Sequence, residues 1–334
     1  MPVFGINHQI IERADQAAYD QWWSAASKWA KAVRVDSHMD AYAWRVSPEA
    51  VYKSDGKHSY AMDPFLKMAE RFKRTHVDFI REGFPNSPEW RALGGNWSSF
   101  DSGNWRMYQV PPEAWTALSA WLNAACVALG TVNSIRWQGP NEQFGRGFDR
   151  HAYARCRNVY IQPSFSRRWT SPALWGWRGQ LVSQIKDWMT LRWYDNGVSR
   201  ASSLCANVYA DWTPGVTINT ASNVKRIVEN LVIVNDLASS YGVTVTISEF
   251  GFDKNQVPEG DAERVRLTRY VMQCMGLLSN IDYAYLYWDS GIFGIDNDLL
   301  ATLGDGPVAS ADEVEFYVES IRQGLAKEAE TSSF

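Results

Sequence analysis

The sequence lacks the features that mark proteins held together by metals or disulfides. It contains four cysteines and five histidines among 334 residues. The cysteines are widely spaced, with no CxxC pair and no adjoining histidine cluster. This spacing argues against a structural zinc site and against a dense disulfide framework. Free, buried thiols are the preferred interpretation.

No segment indicates binding to nucleic acid or to a membrane. The net charge is -4 at pH 7, and the 33 basic residues are spread along the chain, so charge alone suggests neither partner. No run of about eighteen apolar residues is present, and no membrane span is predicted. The opening stretch MPVFGINHQI also lacks the basic segment followed by an apolar segment that a secretory signal contains.

Tryptophan, by contrast, is abundant, with 17 residues. Some of these rings must pack in the core. Others could supply flat apolar faces with a polar N–H at the edge, which suit stacking on sugar rings. Composition alone leaves both interpretations open.

Short apolar runs alternate with longer segments of helical periodicity, a pattern typical of βα units around a parallel sheet. Eight strand-like runs predict an α/β fold, a single (β/α)8 TIM barrel with long βα loops. The barrel is expected over residues 1–326, followed by a polar tail at 327–334. The predicted strands are 3–7, 32–36, 76–80, 134–138, 158–163, 204–210, 243–250 and 283–288, and the clearest predicted helices are 16–32, 177–194, 223–241, 262–279 and a last helix ending near Leu325.

Two glutamates follow apolar strands where an exposed charge is not expected. Glu142 lies in GPNEQ after the fourth strand, and Glu249 lies in ISEFGF at the end of the seventh. In such a barrel the carboxyl ends of the strands form the active face. Retaining glycosidases use two carboxyl groups about 5–5.5 Å apart, and inverting ones about 6.5–9.5 Å apart. The two glutamates are therefore candidate catalytic residues. The same strand-end rule selects Asn7, His8 and Asp36, among others.

These strand ends resemble those of clan A glycoside hydrolases, the retaining (β/α)8 enzymes related to family 5 cellulases and mannanases. The resemblance implies that Glu142, preceded by Asn141, is the acid/base and that Glu249 is the nucleophile. It also implies that Arg34, in VRVD on the second strand, supports the nucleophile. Arg34 would then lower the pKa of Glu249, and Glu142 would need a raised pKa to act as an acid.

Further residues match the same pattern. Tyr209, in NVYADW, takes the place of the tyrosine that contacts the nucleophile, and Trp288, in YLYWDSG, that of the floor of the sugar subsite. Asn207 stands where family 5 members usually carry histidine, and the histidine expected after the third strand is replaced by REGFPN. A divergent clan member is therefore expected rather than family 5 itself. His38 and Trp212 are additional candidate substrate contacts.

The resemblance implies hydrolysis of O-glycosidic bonds in an oligo- or polysaccharide by double displacement, with no cofactor and no metal. Two alternatives stay open: a carbohydrate-binding barrel without catalysis, and a transglycosylase that uses the same two glutamates. The sequence indicates neither the sugar nor the oligomeric state. The missing signal suits a cytoplasmic enzyme or a phage-borne depolymerase released by lysis, unless a leader has been removed.

Overall fold

Eight parallel strands close into a barrel, which confirms the predicted (β/α)8 fold. The computed structural model describes residues 1–8, 16–35, 70–80, 134–138, 168–174, 178–190, 203–210, 219–288 and 292–331. Each strand pairs with the next along the chain, and the eighth pairs with the first. The strands are β1 (Val3–His8), β2 (Ala32–Val35), β3 (His76–Ile80), β4 (Ser134–Gln138), β5 (Arg168–Leu174), β6 (Ser203–Val208), β7 (Thr244–Phe250) and β8 (Ile281–Leu286).

Helices lie outside the barrel and are numbered here over the described residues. None of these helices is long and apolar enough to span a membrane. They are α1 (Gln16–Ala26), α2 (Arg178–Thr190), α3 (Thr220–Ser240), α4 (Asp261–Gly276), α5 (Asn297–Ala301) and α6 (Ala311–Thr331), with a short 3-10 helix at Thr302–Gly304. The predicted helices at 16–32, 177–194, 223–241 and 262–279 agree with α1 to α4 in position, although α1 ends earlier.

The fifth strand is the one strand that the sequence misplaced. It runs over Arg168–Leu174 rather than over the predicted residues 158–163, which lie outside the described ranges. Pro172 lies inside it, and proline disfavours a strand because it cannot donate to the ladder. The register between β5 and β6 is irregular between Thr170 and Ala173, so the break in the ladder falls where the proline stands.

A capping box begins the last helix, which ends later than predicted. The backbone N–H of Ser310 donates to Glu313 Oε2 at 2.8 Å, and the N–H of Glu313 donates to Ser310 Oγ at 3.3 Å. This reciprocal pair forms the capping box. The helix then continues to Thr331, past the expected end near Leu325. The predicted boundary after residue 326 thus falls within α6, and the domain limits themselves stay a prediction.

Among the strand side chains that the structure describes, a set on the outer side of the barrel faces an apolar layer between barrel and helices. Val33 on β2 and Ile247 on β7 are fully buried there, together with Trp22 on α1 and Ile227 on α3. The strand members of this layer reflect the ordinary side-chain alternation of a strand, with a period of two. Burial of these apolar faces against the helices supplies the main stabilisation of the fold.

The opposite residues of the strands point into the barrel, and many of them are polar. Asp78 on β3 accepts from Arg136 on β4, Nε to Oδ1 at 2.8 Å and Nη2 to Oδ2 at 2.5 Å. It also accepts from the hydroxyl of Tyr285 at 2.6 Å and lies 2.9 Å from His76 Nε2. Arg136 reaches Asp282 Oδ2 as well, at 2.9 Å. We call these five side chains the lower network.

Burial opposes the charge on Asp78, but the adjacent Arg136 and His76 outweigh it and hold the pKa of that carboxyl well below its usual range. The Asp78 carboxylate therefore contributes stability that is complete above its ordinary pKa and declines as the pH falls through the acid range towards the depressed value.

Removal of the Arg136 guanidinium from the lower network should strongly destabilise the fold. We expect Arg136→Leu to lower the free energy of unfolding by about 3–5 kcal/mol, because Asp78 would keep its charge inside the barrel without its partner. Arg266→Leu is the matched control, since Arg266 pairs with Glu263 at 2.6 Å on the exposed surface of α4. That change should lower stability by less than about 1 kcal/mol. Urea unfolding followed by tryptophan fluorescence measures both, and equal losses would contradict this account.

Alkaline pH should destabilise the protein through groups buried inside the barrel. Burial raises the pKa of the Cys205 thiol to about 12, against the opposing charge of Arg34. A raised pKa gives stability that is complete below the unfolded-state value and is lost as the pH rises to the folded value. Between these limits each such group lowers stability by about 1.4 kcal/mol per pH unit. Unfolding series from pH 9 to 11 should show a shallower decline for Cys205→Ala than for the wild type, and parallel declines would refute the assignment.

Candidate active site

An irregularity in β7 directs Glu249 into the barrel. Ala206 on β6 pairs with Ile247, but the next residue, Asn207, pairs with Glu249, so Ser248 is an extra residue in the ladder. Strict alternation would place Glu249 on the outward side with Ile247. The extra residue returns it to the inward side, as β-bulges at barrel rims and active sites commonly do.

Arg34 holds one oxygen of this carboxylate. Its Nη1 donates to Glu249 Oε1 at 2.7 Å, and its Nε donates to Gln138 Oε1 at 2.8 Å. Arg34 is fully buried and Glu249 is 5% exposed. Because the planar guanidinium is held at two points, it presents a fixed positive charge to the carboxylate.

Tyr209 holds the other oxygen. Its hydroxyl donates to Glu249 Oε2 at 2.8 Å. The backbone at Tyr209 is itself anchored from α3, where Asn230 Nδ2 donates to the Tyr209 carbonyl at 3.2 Å. The ring of Tyr209 lies 6.2 Å from that of Tyr287 and 5.7 Å from that of Phe293. The sequence-predicted residues Arg34, Tyr209 and Glu249 are thus in direct contact.

Asn207 lies beside them and is buried. Its Oδ1 accepts from the hydroxyl of Ser248 at 2.6 Å. This bond ties the extra residue of β7 to β6 and so supports the conformation that directs Glu249 inward. The predicted contact between Asn207 and a substrate stays a prediction.

Two amides near this group were given no role by sequence reasoning. Asn7 on β1 was selected only by its strand-end position, and Gln138 was not selected. In the described part of the chain, neither Asn7 Oδ1 nor Asn7 Nδ2 has a hydrogen-bond partner, and Gln138 Nε2 has none either. Asn7 pairs in register with Arg34. The period of two along SIRWQ, which places Gln138 on the same side as Arg136, could have revealed its position.

Trp288 lies apart from this group. Its ring is 5.5 Å from that of Trp22 on α1, and its Nε1 lies 3.4 Å from the carbonyl oxygen of Ile295. It packs against the outer apolar layer. The predicted sugar contact of Trp288 stays a prediction; of these two neighbouring residues it is Tyr287 whose ring lies near that of Tyr209, at 6.2 Å.

Several predicted site residues lie outside the described ranges: His38, Asn141, Glu142 and Trp212. The separation of Glu142 and Glu249 is therefore a prediction. Over the described ranges, no group of three histidine, cysteine or acidic side chains is arranged as a metal site. The described arrangement is a buried carboxylate with two donors that fix its orientation and favour its ionised form.

Solved structures provide a comparison for this fold. No protein-family model and no curated protein matches the sequence. An endo-β-1,4-mannanase from Thermotoga petrophila matches with a TM-score of 0.59 and 12% identity, over 97% of this chain and 77% of that one. A GH30 endoxylanase from Clostridium papyrosolvens matches with a TM-score of 0.56 and 13% identity, over 91% of this chain and 72% of that one. A Bacteroidetes-affiliated GH5 cellulase matches with a TM-score of 0.54 and 13% identity, over 95% of this chain and 94% of that one.

The chain therefore shares its fold with glycoside hydrolases of several families. At identities of 12–13% the likeness establishes the (β/α)8 architecture alone. It agrees at that level with the resemblance seen at the strand ends. Residue roles depend on the geometry around Glu249 and on experiment.

Replacement of Arg34 by lysine should show how much its two-point contact contributes. A single ammonium cannot reproduce both the Nε and the Nη1 hydrogen bonds. We expect Arg34→Lys to lower the free energy of unfolding by about 1–3 kcal/mol, because a buried donor or acceptor loses its partner. Arg266→Lys, at an exposed ion pair, should change it by about 0.5 kcal/mol or less. Urea denaturation measures both, and an unchanged midpoint for Arg34→Lys would show that the two contacts contribute nothing to stability.

Proposed function

We propose that the protein is a retaining glycoside hydrolase and that Glu249 is its nucleophile. The observation that supports this most directly is the position of Glu249, turned into the barrel end and held by Arg34 at 2.7 Å and Tyr209 at 2.8 Å. A cation and a hydroxyl donor favour the ionised carboxylate that a nucleophile requires. The resemblance at the strand ends supports the same role.

The proposed reaction proceeds in two displacements. In the first, Glu249 attacks the anomeric carbon while Glu142 protonates the departing glycosidic oxygen, and a glycosyl-enzyme ester forms. In the second, Glu142 accepts a proton from water, which attacks the same carbon and releases Glu249 as a carboxylate. Arg34 and Tyr209 would orient the Glu249 carboxylate for this attack.

The proposed substrate is an oligo- or polysaccharide. Asn141, placed next to the acid/base, would hydrogen-bond the sugar 2-hydroxyl, a contact that strengthens in the transition state. His38, Asn207 and Trp212 are proposed as further substrate contacts. The named activities of the structural neighbours suggest mannan, xylan and cellulose chains as the first glycans to test.

Glu249→Ala should abolish hydrolysis of any glycan that the wild type cleaves, with a decrease in kcat on the order of 10⁴-fold or more. Reducing-end release from mannan, xylan and cellulose fragments measures it. Glu315→Ala, on the exposed face of α6, is the matched glutamate control and should leave the rate unchanged. Near-normal hydrolysis by Glu249→Ala would contradict the assignment.

Azide provides a second test of the roles. With an activated aryl glycoside, azide should restore turnover to Glu249→Ala and give a glycosyl azide of inverted configuration, because it attacks the anomeric carbon directly. With Glu142→Ala, azide should give the retained configuration, because it attacks the glycosyl-enzyme ester. Lengthened products on addition of an acceptor sugar would favour a transglycosylase. Binding without cleavage across the panel would favour a carbohydrate-binding barrel.

A further inference from the structure

We infer that Tyr287 forms the aromatic wall against which a sugar ring packs beside Glu249, an inference that rests on the proposed function. The resemblance assigns the sugar-facing aromatic at the end of β8 to Trp288. The packing of β8 instead directs these two neighbouring side chains to opposite sides of the barrel wall.

The alternation along β8 establishes which side each residue faces. Tyr283 lies over Arg136, with its ring centroid 4.4 Å from Cζ, and the hydroxyl of Tyr285 donates to Asp78 at 2.6 Å, so both point inward. Ala284 and Leu286 are buried in the outer apolar layer.

The last hydrogen bond of the β7–β8 ladder fixes the backbone of the residue that follows β8. Leu286 pairs with Phe250, and the backbone N–H of Tyr287 donates to the carbonyl of Phe250 at 2.8 Å. Because the Tyr287 N–H still points towards β7, the period of two extends to this residue. Tyr287 therefore follows Tyr283 and Tyr285 on the inward side, and Trp288 follows Leu286 on the outward side.

Contacts of the two side chains agree with this alternation. The ring of Tyr287 meets that of Phe293 edge-on at 4.9 Å and that of Tyr209 edge-on at 6.2 Å. Since Tyr209 donates to Glu249, Tyr287 is separated from the candidate nucleophile by one side chain. The Trp288 ring instead contacts Trp22, which is 3% exposed on α1.

The surroundings of Tyr287 match the chemistry of a sugar. A pyranose ring has an apolar face of C–H groups and an edge of hydroxyls that both donate and accept. Tyr287 and Phe293 are half-buried, and the adjoining Ile292 is 50% exposed, so an apolar surface lies beside Tyr209, which holds the candidate nucleophile.

Asn7 provides polar groups on the neighbouring strand. Ile6 pairs with Leu286, so Asn7 and Tyr287 are the next residues on adjoining strands. The amide of Asn7 is buried with both polar atoms unpartnered over the described residues. An aromatic face next to an unsatisfied amide fits a ligand that is apolar on one side and hydroxylated at its edge.

Binding to a slow variant tests this without requiring turnover. The titrants are mannohexaose, xylohexaose and cellohexaose, measured by calorimetry against Glu249→Gln. In that background Tyr287→Ala should weaken binding about tenfold, or about 1.4 kcal/mol, whereas Tyr287→Phe should stay within about twofold because the ring is kept. Tyr317→Ala is the matched control, because Tyr317 is also a half-buried tyrosine in ring contact, with Tyr270 at 5.6 Å, on the helical layer.

Each other outcome counts against the inference. Equal losses of binding affinity for Tyr287→Phe and Tyr287→Ala would assign the effect to the hydroxyl rather than the ring. Weaker binding by Trp288→Phe, with unchanged binding by Tyr287→Ala, would show that Trp288 makes the sugar contact. A similar loss for Tyr317→Ala would indicate a general effect on folding.

The same measurements separate a failure of the proposed function from a failure of the inference about Tyr287. If the wild type cleaves a hexasaccharide and Glu249→Ala does not, but Tyr287→Ala binds normally, only the inference about Tyr287 is lost. If Glu249→Gln binds none of the three sugars and the wild type cleaves none, the inference falls together with the proposed substrate class.

Discussion

Closure of the eight-stranded barrel is the constraint on which the other features depend. Once β8 pairs with β1, alternate residues of every strand point into a narrow interior from which bulk water is excluded. A polar or charged side chain placed there must be satisfied by another side chain, because an unpaired buried charge is strongly unfavourable. The sequence places both acids and bases on these positions, and the folded barrel pairs them across strands that are distant along the chain.

The pairs form two groups, which differ in how fully their polar atoms are hydrogen-bonded. In the lower network Asp78 receives hydrogen bonds from Arg136 and Tyr285 and lies against His76. Near the carboxyl ends of the strands, Glu249 is held by two donors while the amide of Asn7 has no partner in the described part of the chain. The fully hydrogen-bonded group stabilises the scaffold. The group with unpartnered polar atoms is where new hydrogen bonds to a hydroxylated ligand would contribute most to binding.

Much of this arrangement was predictable from the sequence. The short apolar runs predicted seven of the eight strands, and the strand-end rule with the resemblance selected Glu249 together with Arg34 and Tyr209, which both contact it. The fifth strand was missed because Pro172 and polar residues make RWTSPAL less strand-like than NVYIQP. The distinction between Tyr287 and Trp288 was missed because it depends on which way the backbone leaves β8, a property of the folded sheet rather than of composition.

The extra residue in β7 also affects how this chain can be compared with others. Glu249 faces inward only because Ser248 adds one residue between the positions that pair with Ala206 and Asn207. Superposition of β7 on a strand without such an extra residue would place the carboxylate opposite a residue of the outer layer. A one-residue gap inside the strand would restore the correspondence, so the spacing along β7 matters to such a comparison as much as the identity of its residues.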